Sequence, residues 1–201
     1  IAGQKEMQMM DQYTMEQLGL PGIVLMENAG AAVVDEVVKD FPNKTTTIIV
    51  LAGGGNNGGD GFVIARRLID FGYDVMLILA VAEHSLKGDA KLHYEAYKKR
   101  QLPMAQADNY DMTRAQVIID ALLGTGVQGM VRQPFYSLIK AVNEAKAFVY
   151  AVDVPSGVNA STGEVVNVAI RANKTITFVL PKKGFYLQQG PQFIGEIVCA
   201  D

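Results

Sequence analysis

Short runs of apolar, mostly β-branched residues recur along the chain and predict six strands. Most of these runs are apolar at every position, whereas a half-exposed strand would alternate apolar with polar residues. Continuous apolar runs are typical of strands that are buried on both faces of a parallel sheet. The predicted strands are TTIIVLA (46–52), VMLILA (75–80), QVIIDA (116–121), FVYAVD (148–153), TITFVL (175–180) and GEIVCAD (195–201).

Between the strands, apolar residues recur every three or four positions, which predicts amphipathic helices. These helices pass through residues 26–41, 65–69, 92–100 and 135–142. Strands that alternate with helices predict a doubly wound α/β fold, with helices on both faces of a mostly parallel sheet. The stretch 155–174 and the tail after Pro181 are predicted to form loops with added strands.

The composition is that of one ordinary globular domain, which we expect to span residues 1–201. Of the 201 residues, 49% are hydrophobic and 19% are charged, which excludes a disordered tail. The net charge of -3 argues against a nucleic-acid or anionic membrane surface. No run of 18 apolar residues predicts a membrane span, and no signal-peptide pattern is visible. We therefore expect a soluble, cytoplasmic protein.

A glycine-rich segment follows the first predicted strand and has the sequence GGGNNGGDG (53–61). It contains the G-x-G-x-x-G pattern of dinucleotide-binding loops, and Glu83 after the next strand could contact a ribose, but this pattern alone is weak. Its glycines would let backbone N–H groups approach a phosphate or a ring closely, in front of a helix N-terminus. The alternative is a tight turn in which Asp60 caps the following helix.

Two further strand ends carry aspartates, Asp120 and Asp153. Because ligands bind at the carboxyl ends of parallel strands, these ends and the glycine segment should converge on one site. A partly desolvated carboxylate there either takes up a proton more readily or holds a cation. Ser156 and Asn57 add hard oxygen atoms, which suit a cation that prefers oxygen ligands. Taken singly, each aspartate could instead cap a helix or form a turn.

No cysteine or histidine has a partner for catalysis. Cys199 lies in an apolar strand and is expected to be a small core residue, and as the only cysteine it excludes an internal disulfide. His84 and His93 are expected on the surface, and together with Cys199 they offer no plausible zinc site.

Seven motifs occur in a fixed order along the chain. They are LMENAG (25–30), NNGGDG (56–61), DALLGTG (120–126), VDVPSG (152–157), TITF (175–178), PKKG (181–184) and GEIVCAD (195–201). In order and spacing, these motifs resemble the YjeF N-terminal domain family, whose enzymes are the NAD(P)H-hydrate epimerases. The resemblance covers nearly the whole chain and implies a three-layer αβα Rossmann-like sandwich, a homodimer and one bound K⁺ per subunit. In many bacteria the domain is fused to an ADP- or ATP-dependent NAD(P)H-hydrate dehydratase, so a separate or fused dehydratase is an expected partner.

The resemblance also implies roles for individual residues. Asn57, Asp120 and Ser156 would bind K⁺, and Asp153 would contact the nicotinamide end of the substrate. Lys182 is a weaker candidate for a substrate phosphate. The residues implied to contact the hydrated dinucleotide are Asn56, Asn57, Gly58, Gly59, Asp60, Gly124, Thr125, Gly126, Val127, Gln128, Gly129 and Met130.

The expected activity is interconversion of the R and S epimers of NADH and NADPH hydrated at C6 (NADHX and NADPHX). This reaction needs a proton donor and acceptor but no redox cofactor, and we assign Asp153 as the general acid and base. Two alternatives stay open. One is an ordinary nicotinamide- or nucleotide-binding oxidoreductase, and the other is a catalytically inactive YjeF-type nucleotide-binding or scaffold module.

Overall fold

The computed structural model describes residues 1–107 and 111–200. Asp201, the last residue of the predicted final strand, lies outside the described residues. The α-helices are α1 (Gln4–Glu16), α2 (Gly22–Asp40), α3 (Asn56–Asp70), α4 (Gly88–Lys99) and α5 (Phe135–Glu144). The strands are β1 (Thr47–Ala52), β2 (Asp74–Leu79), β3 (Met104–Gln106), β4 (Val117–Ala121), β5 (Phe148–Val152), β6 (Lys174–Phe178) and β7 (Glu196–Ala200).

The strands form one seven-stranded sheet in the order β3-β2-β1-β4-β5-β6-β7. Every paired neighbour in it is parallel, so the sheet is more regular than the mostly parallel one expected. All six predicted strands are present. The seventh, β3, was not predicted because it is only three residues long, and it pairs only with the last three residues of β2.

Helices cover both faces of the sheet because successive strand residues point to opposite sides. Ile48 and Val50 of β1 pack with α2, α3 and α4, whereas Ile49 and Leu51 pack with α5. The three-layer αβα sandwich is therefore confirmed, and the near-continuous apolar strands are explained by burial on both faces. No helix in the described part of the chain is long and apolar enough to cross a membrane.

The order of the strands reverses between β1 and β4. The chain runs from β1 outward to β2 and β3, and then returns to pair β4 on the other side of β1. Leu51 lies beside Asp120 in this pairing, so the ends of β1 and β4 lie side by side. A crevice outside such a switch point is the usual ligand site of open parallel sheets.

Four features differ from the sequence-based expectations. Helix α1 was not predicted, because Met7 is its only buried residue and no apolar stripe marks it. Residues 155–173 contain no strand and instead enclose a small apolar cluster with Phe185. Cys199 is exposed, because β7 is an edge strand with only β6 beside it. His93 is buried, because α4 turns it towards Glu27 of α2.

Candidate active site at the carboxyl edge of the sheet

The glycine-rich segment is the junction between β1 and α3, and the helix starts inside it. Gly55 is the N-cap and Asn56 the first helical residue, so Asp60 lies within the helix and the capping alternative is wrong. A Cβ atom on Gly58 would overlap the carbonyl oxygen of Gly53, and one on Gly59 would overlap the side chain of Met26. These two glycines therefore let α3 pack closely against the protein itself.

Asn57, Asp120 and Ser156 meet beneath this junction. Asp120 is fully buried, and its carboxylate accepts hydrogen bonds from the Ser156 hydroxyl (2.6 Å) and the Ser156 N–H (2.8 Å). The Asn57 side-chain amide donates to the carbonyl of Leu123 (3.0 Å), and the Leu123 N–H donates to Ser156 Oγ (2.9 Å). Three distant sequence motifs are thereby joined into one polar cluster.

This cluster fits a cation that prefers oxygen ligands. Asn57 Oδ1 is buried and has no hydrogen-bond partner among the described residues, which is a costly state for an amide oxygen. Burial also raises the pKa of Asp120 to about 6, against the opposing hydrogen bonds from Ser156 and Leu122. A bound cation would satisfy the amide oxygen and favour the ionised carboxylate together. In the described ranges, no three His, Cys, Asp or Glu side chains cluster in a metal-binding arrangement, so the oxygens of Asn57 and Ser156 would be needed.

Asp153 lies at the end of β5 and is held by a buried lysine. Its Oδ1 is 2.6 Å from Lys182 Nζ and accepts a hydrogen bond from the Thr177 hydroxyl (3.2 Å). Its backbone has a φ of 64°, in the left-handed region that non-glycine residues seldom adopt. Strained conformations of this kind concentrate at functional sites.

Lys182 is only 1% exposed, and its contacts change the role expected of it. Besides Asp153, its ammonium group donates to Thr177 Oγ1 (2.8 Å) and to the carbonyls of Phe178 (3.1 Å) and Leu180 (3.1 Å). Its three N–H groups are therefore fully used within the protein. The suggestion that Lys182 contacts a substrate phosphate is wrong in this structure, because the side chain is buried and its ammonium group contacts Asp153 instead.

A large open cavity lies over these groups and has a volume of ≈ 1360 Å³. Pockets for drug-sized ligands usually occupy about 300–1,000 Å³, so this one has room for a dinucleotide. From the residues predicted to bind substrate, the cavity is lined by Asn56, Asn57, Asp60, Gly124, Thr125, Gly126, Val127 and Asp153. The lining does not include Gly58, Gly59, Gln128, Gly129 or Met130.

Two carboxyl groups in the cavity wall were not expected to act together. Asp60 is only 9% exposed, and its pKa lies well above its usual value because of burial and then because of the nearby charges of Asp153 and Asp11. Asp11 lies on α1 and lines the same cavity. The sequence reasoning missed Asp11 because it did not predict α1. The only available signal was the four-residue spacing of Met7, Asp11 and Met15.

The remaining candidates lie away from the cavity lining. Glu83 pairs with Lys98 (2.6 Å) instead of presenting a carboxylate for a ribose. Burial lowers the pKa of His93, against the opposing charge of Glu27 at 3.9 Å. His84 is exposed, as expected, and no described contact gives it a chemical role.

A family model described as the YjeF-related protein N-terminus matches residues 22–184, which is most of the chain. The chain belongs to this YjeF-related family. An NAD(P)H-hydrate epimerase of Limosilactobacillus fermentum is 40% identical over 202 residues, covering 98% of this chain and 93% of the relative. An epimerase of the same name from Limosilactobacillus reuteri is 37% identical, covering 98% of this chain and 92% of the relative.

A longer relative and a solved structure add two points about this YjeF-related chain. A bifunctional NAD(P)H-hydrate repair enzyme of Coxiella burnetii is 41% identical over 139 residues, and the chain covers only 28% of that protein. The crystal structure of yeast ynu0 (YNL200c) has a TM-score of 0.84 and 24% identity, covering 99% of this chain and 86% of the yeast chain. At that identity the yeast structure supports the fold alone.

Proposed function

We propose that the chain is an NAD(P)H-hydrate epimerase that interconverts the R and S epimers of NADHX and NADPHX. The observation that carries the proposal is the Asp153 carboxylate, which is fixed by the buried Lys182 in the wall of a dinucleotide-sized cavity. Relatives that align along nearly the full length of the chain are named as this enzyme.

The chemistry at C6 explains why a carboxyl group is needed there. Expulsion of the C6 hydroxyl requires a proton on the leaving oxygen, and the lone pair of the ring nitrogen then forms a planar iminium. Water adds to the other face of this cation and gives up a proton, which restores the hydrate with inverted configuration. Asp153 is positioned to transfer one of these protons, and such positioned groups typically contribute about 10²–10⁴-fold to a rate.

The substrate would lie along the edge of the sheet. The nicotinamide end would contact Asp153, while Asn56, Asp60 and the Gly124–Val127 loop would contact the rest of the dinucleotide. All of these residues line the cavity. The apolar part of the wall, which includes Met26, Leu122 and Phe135, would keep bulk water from the ring.

We also propose that Asn57, Asp120 and Ser156 bind one K⁺ per subunit. When bound, the ion would supply fixed positive charge that holds the polar cluster and the adjoining loops in place. The unpartnered Asn57 Oδ1 and the buried Asp120 carboxylate support this assignment.

Thermal melting tests the ion. Because a ligand that binds only the folded state raises its stability, the melting temperature of the wild type should rise with K⁺ concentration. It should not rise with tetramethylammonium at the same ionic strength. Asp120→Ala should remain folded but lose this response, and identical wild-type melting curves in the two cations would contradict the assignment.

We also propose an oligomeric state, a partner enzyme and a cellular location. A homodimer is supported by the exposed apolar side chains of Leu18, Leu20 and Val24, and sedimentation velocity would test it. A dehydratase, separate or fused, would consume one epimer, as the bifunctional names of some relatives suggest. A cytoplasmic location is also a prediction.

Chiral chromatography of mixed hydrate epimers tests the main proposal. Starting from one purified epimer of NADHX, the wild-type protein should approach the equilibrium mixture much faster than the protein-free control. If the protein binds the hydrate without changing this rate, the inactive scaffold alternative is favoured. If it reduces or oxidises intact nicotinamide cofactors instead, the oxidoreductase alternative is favoured.

A further inference from the structure

The N-terminal helix α1 is attached directly to the segment that carries Lys182. Ala2 forms a parallel bridge with Lys182, and the Lys183 N–H donates to the Ala2 carbonyl (2.8 Å). The Lys183 ammonium also pairs with Glu6 (2.8 Å) in the first turn of α1. The start of α1 is therefore held next to the lysine that positions Asp153.

From this attachment, α1 carries an acidic side chain to the cavity. Met7 is buried and anchors the helix, and Asp11 follows one turn later on the same side. Asp11 lines the cavity together with Asp60 and Asp153. Partial burial raises the pKa of Asp11, the charge of Asp153 raises it further, and Lys182 opposes both effects.

Two polar side chains in the same wall support a ligand-binding role. Asp60 is nine-tenths buried and lines the cavity. Asn57 also lines the cavity, and its buried Oδ1, proposed above to bind K⁺, has no hydrogen-bond partner in the described part of the chain. Buried polar atoms are seldom left unpaired in proteins, so this wall is suited to polar groups from outside.

Epimerisation needs proton transfer on both faces of the nicotinamide ring, which one carboxyl group does not easily provide. The hydroxyl leaves from one face of the ring and water returns to the other, so proton transfer is needed on both faces. Asp153 reaches the cavity from the end of a strand, whereas Asp11 reaches it from a helix that adjoins the sheet edge. The two carboxyls thus enter the same space from different elements.

We propose that Asp11 is the second acid–base residue of the site and serves the face of the nicotinamide ring opposite to Asp153. This role rests on the proposed epimerase function. One carboxylic acid protonates the departing C6 hydroxyl, the C6–O bond breaks, and the ring nitrogen lone pair forms the iminium. Water then forms a new C6–O bond on the other face, the π electrons return to nitrogen, and the second carboxylate takes the proton.

Each turnover therefore exchanges the protonation states of the two aspartates. The Asp153 carboxylate, paired with Lys182, starts as the base, and Asp11 starts as the acid. Asp11 is exposed and Asp153 lines the same open cavity, so between turnovers Asp11 can recover a proton from water while Asp153 returns its proton to water. The reverse epimerisation uses the swapped state, and neither direction needs an oxidant or a further reactant.

Oxygen exchange in H₂¹⁸O separates the two faces. Each purified NADHX epimer is incubated with wild type, Asp11→Asn or Asp153→Asn, and both isotope content and configuration are followed above the protein-free rate. Asp11→Asn should epimerise at least about 10²-fold more slowly than wild type. It should still exchange the hydroxyl of one epimer with retained configuration, because Asp153, once protonated by water, can release the hydroxyl on its face and take the proton back when water adds to that same face. Asp153→Asn should exchange the other epimer.

Matched controls exclude a structural effect. Glu16→Gln removes a carboxylate from the same helix outside the cavity lining and should behave as wild type. Asp11→Ala should reproduce the Asp11→Asn pattern, with an unchanged melting temperature.

Three results would overturn the role of Asp11. They are epimerisation by Asp11→Asn at the wild-type rate, exchange of the same epimer by both variants, or a parallel loss of exchange for both epimers together with weaker binding. A wild type that neither exchanges nor epimerises would overturn the proposed function itself. That result is read from the wild-type arm alone and is therefore distinct from the others.

Discussion

Two lysines at opposite ends of β6 are both buried, yet their surroundings differ. Lys174, at the start of the strand, is 2.6 Å from Asp40 and 3.2 Å from Glu36, and the Tyr150 hydroxyl donates to Asp40 (2.6 Å). Lys182, just beyond the end of the strand, pairs with Asp153 alone among the described acidic side chains.

At the Lys174 end every nearby carboxylate is in a direct ion pair, because Lys174 also lies 3.7 Å from Glu196 and Lys39 also pairs with Glu36. Burial would raise the pKa of Asp40, but the hydrogen bonds from Lys174 and Tyr150 outweigh it and lower the pKa. Burial likewise opposes the charge of Lys174, yet its bonds to Asp40 and Glu36 raise its pKa. This cluster connects α2 to the sheet, and its carboxylates are all held in ion pairs.

At the Lys182 end only Asp153 is in an ion pair among the described residues. One lysine faces Asp153, and the carboxyls of Asp11 and Asp60 lie close enough for the charge of Asp153 to raise the pKa of both. Burial is the larger cause in each case. An excess of carboxyl groups with perturbed pKa values around a cavity is typical of a catalytic site. The charged groups around Lys174 therefore support the fold, whereas the carboxyl groups near Lys182 are available for reaction.

Of the changes that test this comparison, Lys182→Met should have the largest effect, and the effect is on catalysis. Without its ammonium group, Asp153 loses both its counter-charge and its fixed orientation. We expect kcat for epimerisation to fall by about 10²-fold or more, with a much smaller change in KM. Steady-state rates corrected for spontaneous epimerisation measure both constants.

The adjacent Lys183→Met is the matched control. Lys183 pairs with Glu6 at the exposed surface, where ion pairs contribute little, so this variant should keep the wild-type kcat. An unchanged kcat in Lys182→Met would show that Asp153 does not depend on the lysine.

Lys174→Met should lower the stability of the protein and leave its activity nearly unchanged. It leaves Glu36 and Asp40 without their main partner, and these carboxylates are partly exposed, so the loss should be below that of a fully buried pair. We expect the free energy of unfolding to fall by about 2–3 kcal/mol, compared with about 3–5 kcal/mol for full burial. Urea denaturation measures this change.

The activity of the folded Lys174→Met protein should be close to that of wild type. Lys39→Met removes an exposed partner of Glu36 and should cost less than about 1 kcal/mol. A strong loss of kcat in folded Lys174→Met would contradict the division between the two ends of β6.

Asp60→Asn should produce the smallest effect, a gain in stability. The raised pKa of Asp60 means that the folded state resists its ionisation, so this group destabilises the fold increasingly as pH rises above the unfolded value near 4. The uncharged amide removes that cost, and a change of 1 kcal/mol shifts the melting temperature of a domain this size by about 2–4 °C.

The stabilisation by Asp60→Asn should therefore be absent near pH 4 and grow towards neutral pH, which melting curves at several pH values would show. A uniform shift at every pH would mean that the change acts through packing. Asp35→Asn, on the exposed face of α2, is the neutral control.

The sheet could be predicted because the continuous apolar sequences of its strands indicate that both of their faces are buried. Six of seven strands were found, since residues such as those of β1 and β4 are apolar on both faces. Strand β3 was not predicted because it is short. Helix α1 was not predicted because it buries only Met7 and lacks an apolar stripe. The exposure of Cys199 depends on the position of β7 in the sheet, which local composition does not encode.

The candidate site was predictable only in part, for a related reason. Asn57, Asp120 and Ser156 converge as expected, because Asp120 lies near the end of β4 and the other two follow β1 and β5 at the same sheet edge. The contact of Lys182 with Asp153 joins residues 29 positions apart, and the chain between them contains β6 and irregular backbone on both sides of it. The approach of Asp11 depends on a bridge between the chain start and Lys182. Neither contact leaves a periodic trace in the sequence.

The epimerisation rate of Asp153→Asn tests the central claim most directly. The amide keeps the size of the side chain but cannot exchange a proton. The account predicts that this variant binds the hydrate and K⁺ as wild type does, while epimerisation falls by about 10²–10⁴-fold above the spontaneous rate. Epimerisation at the wild-type rate would show that Asp153 moves no proton and would contradict the claim.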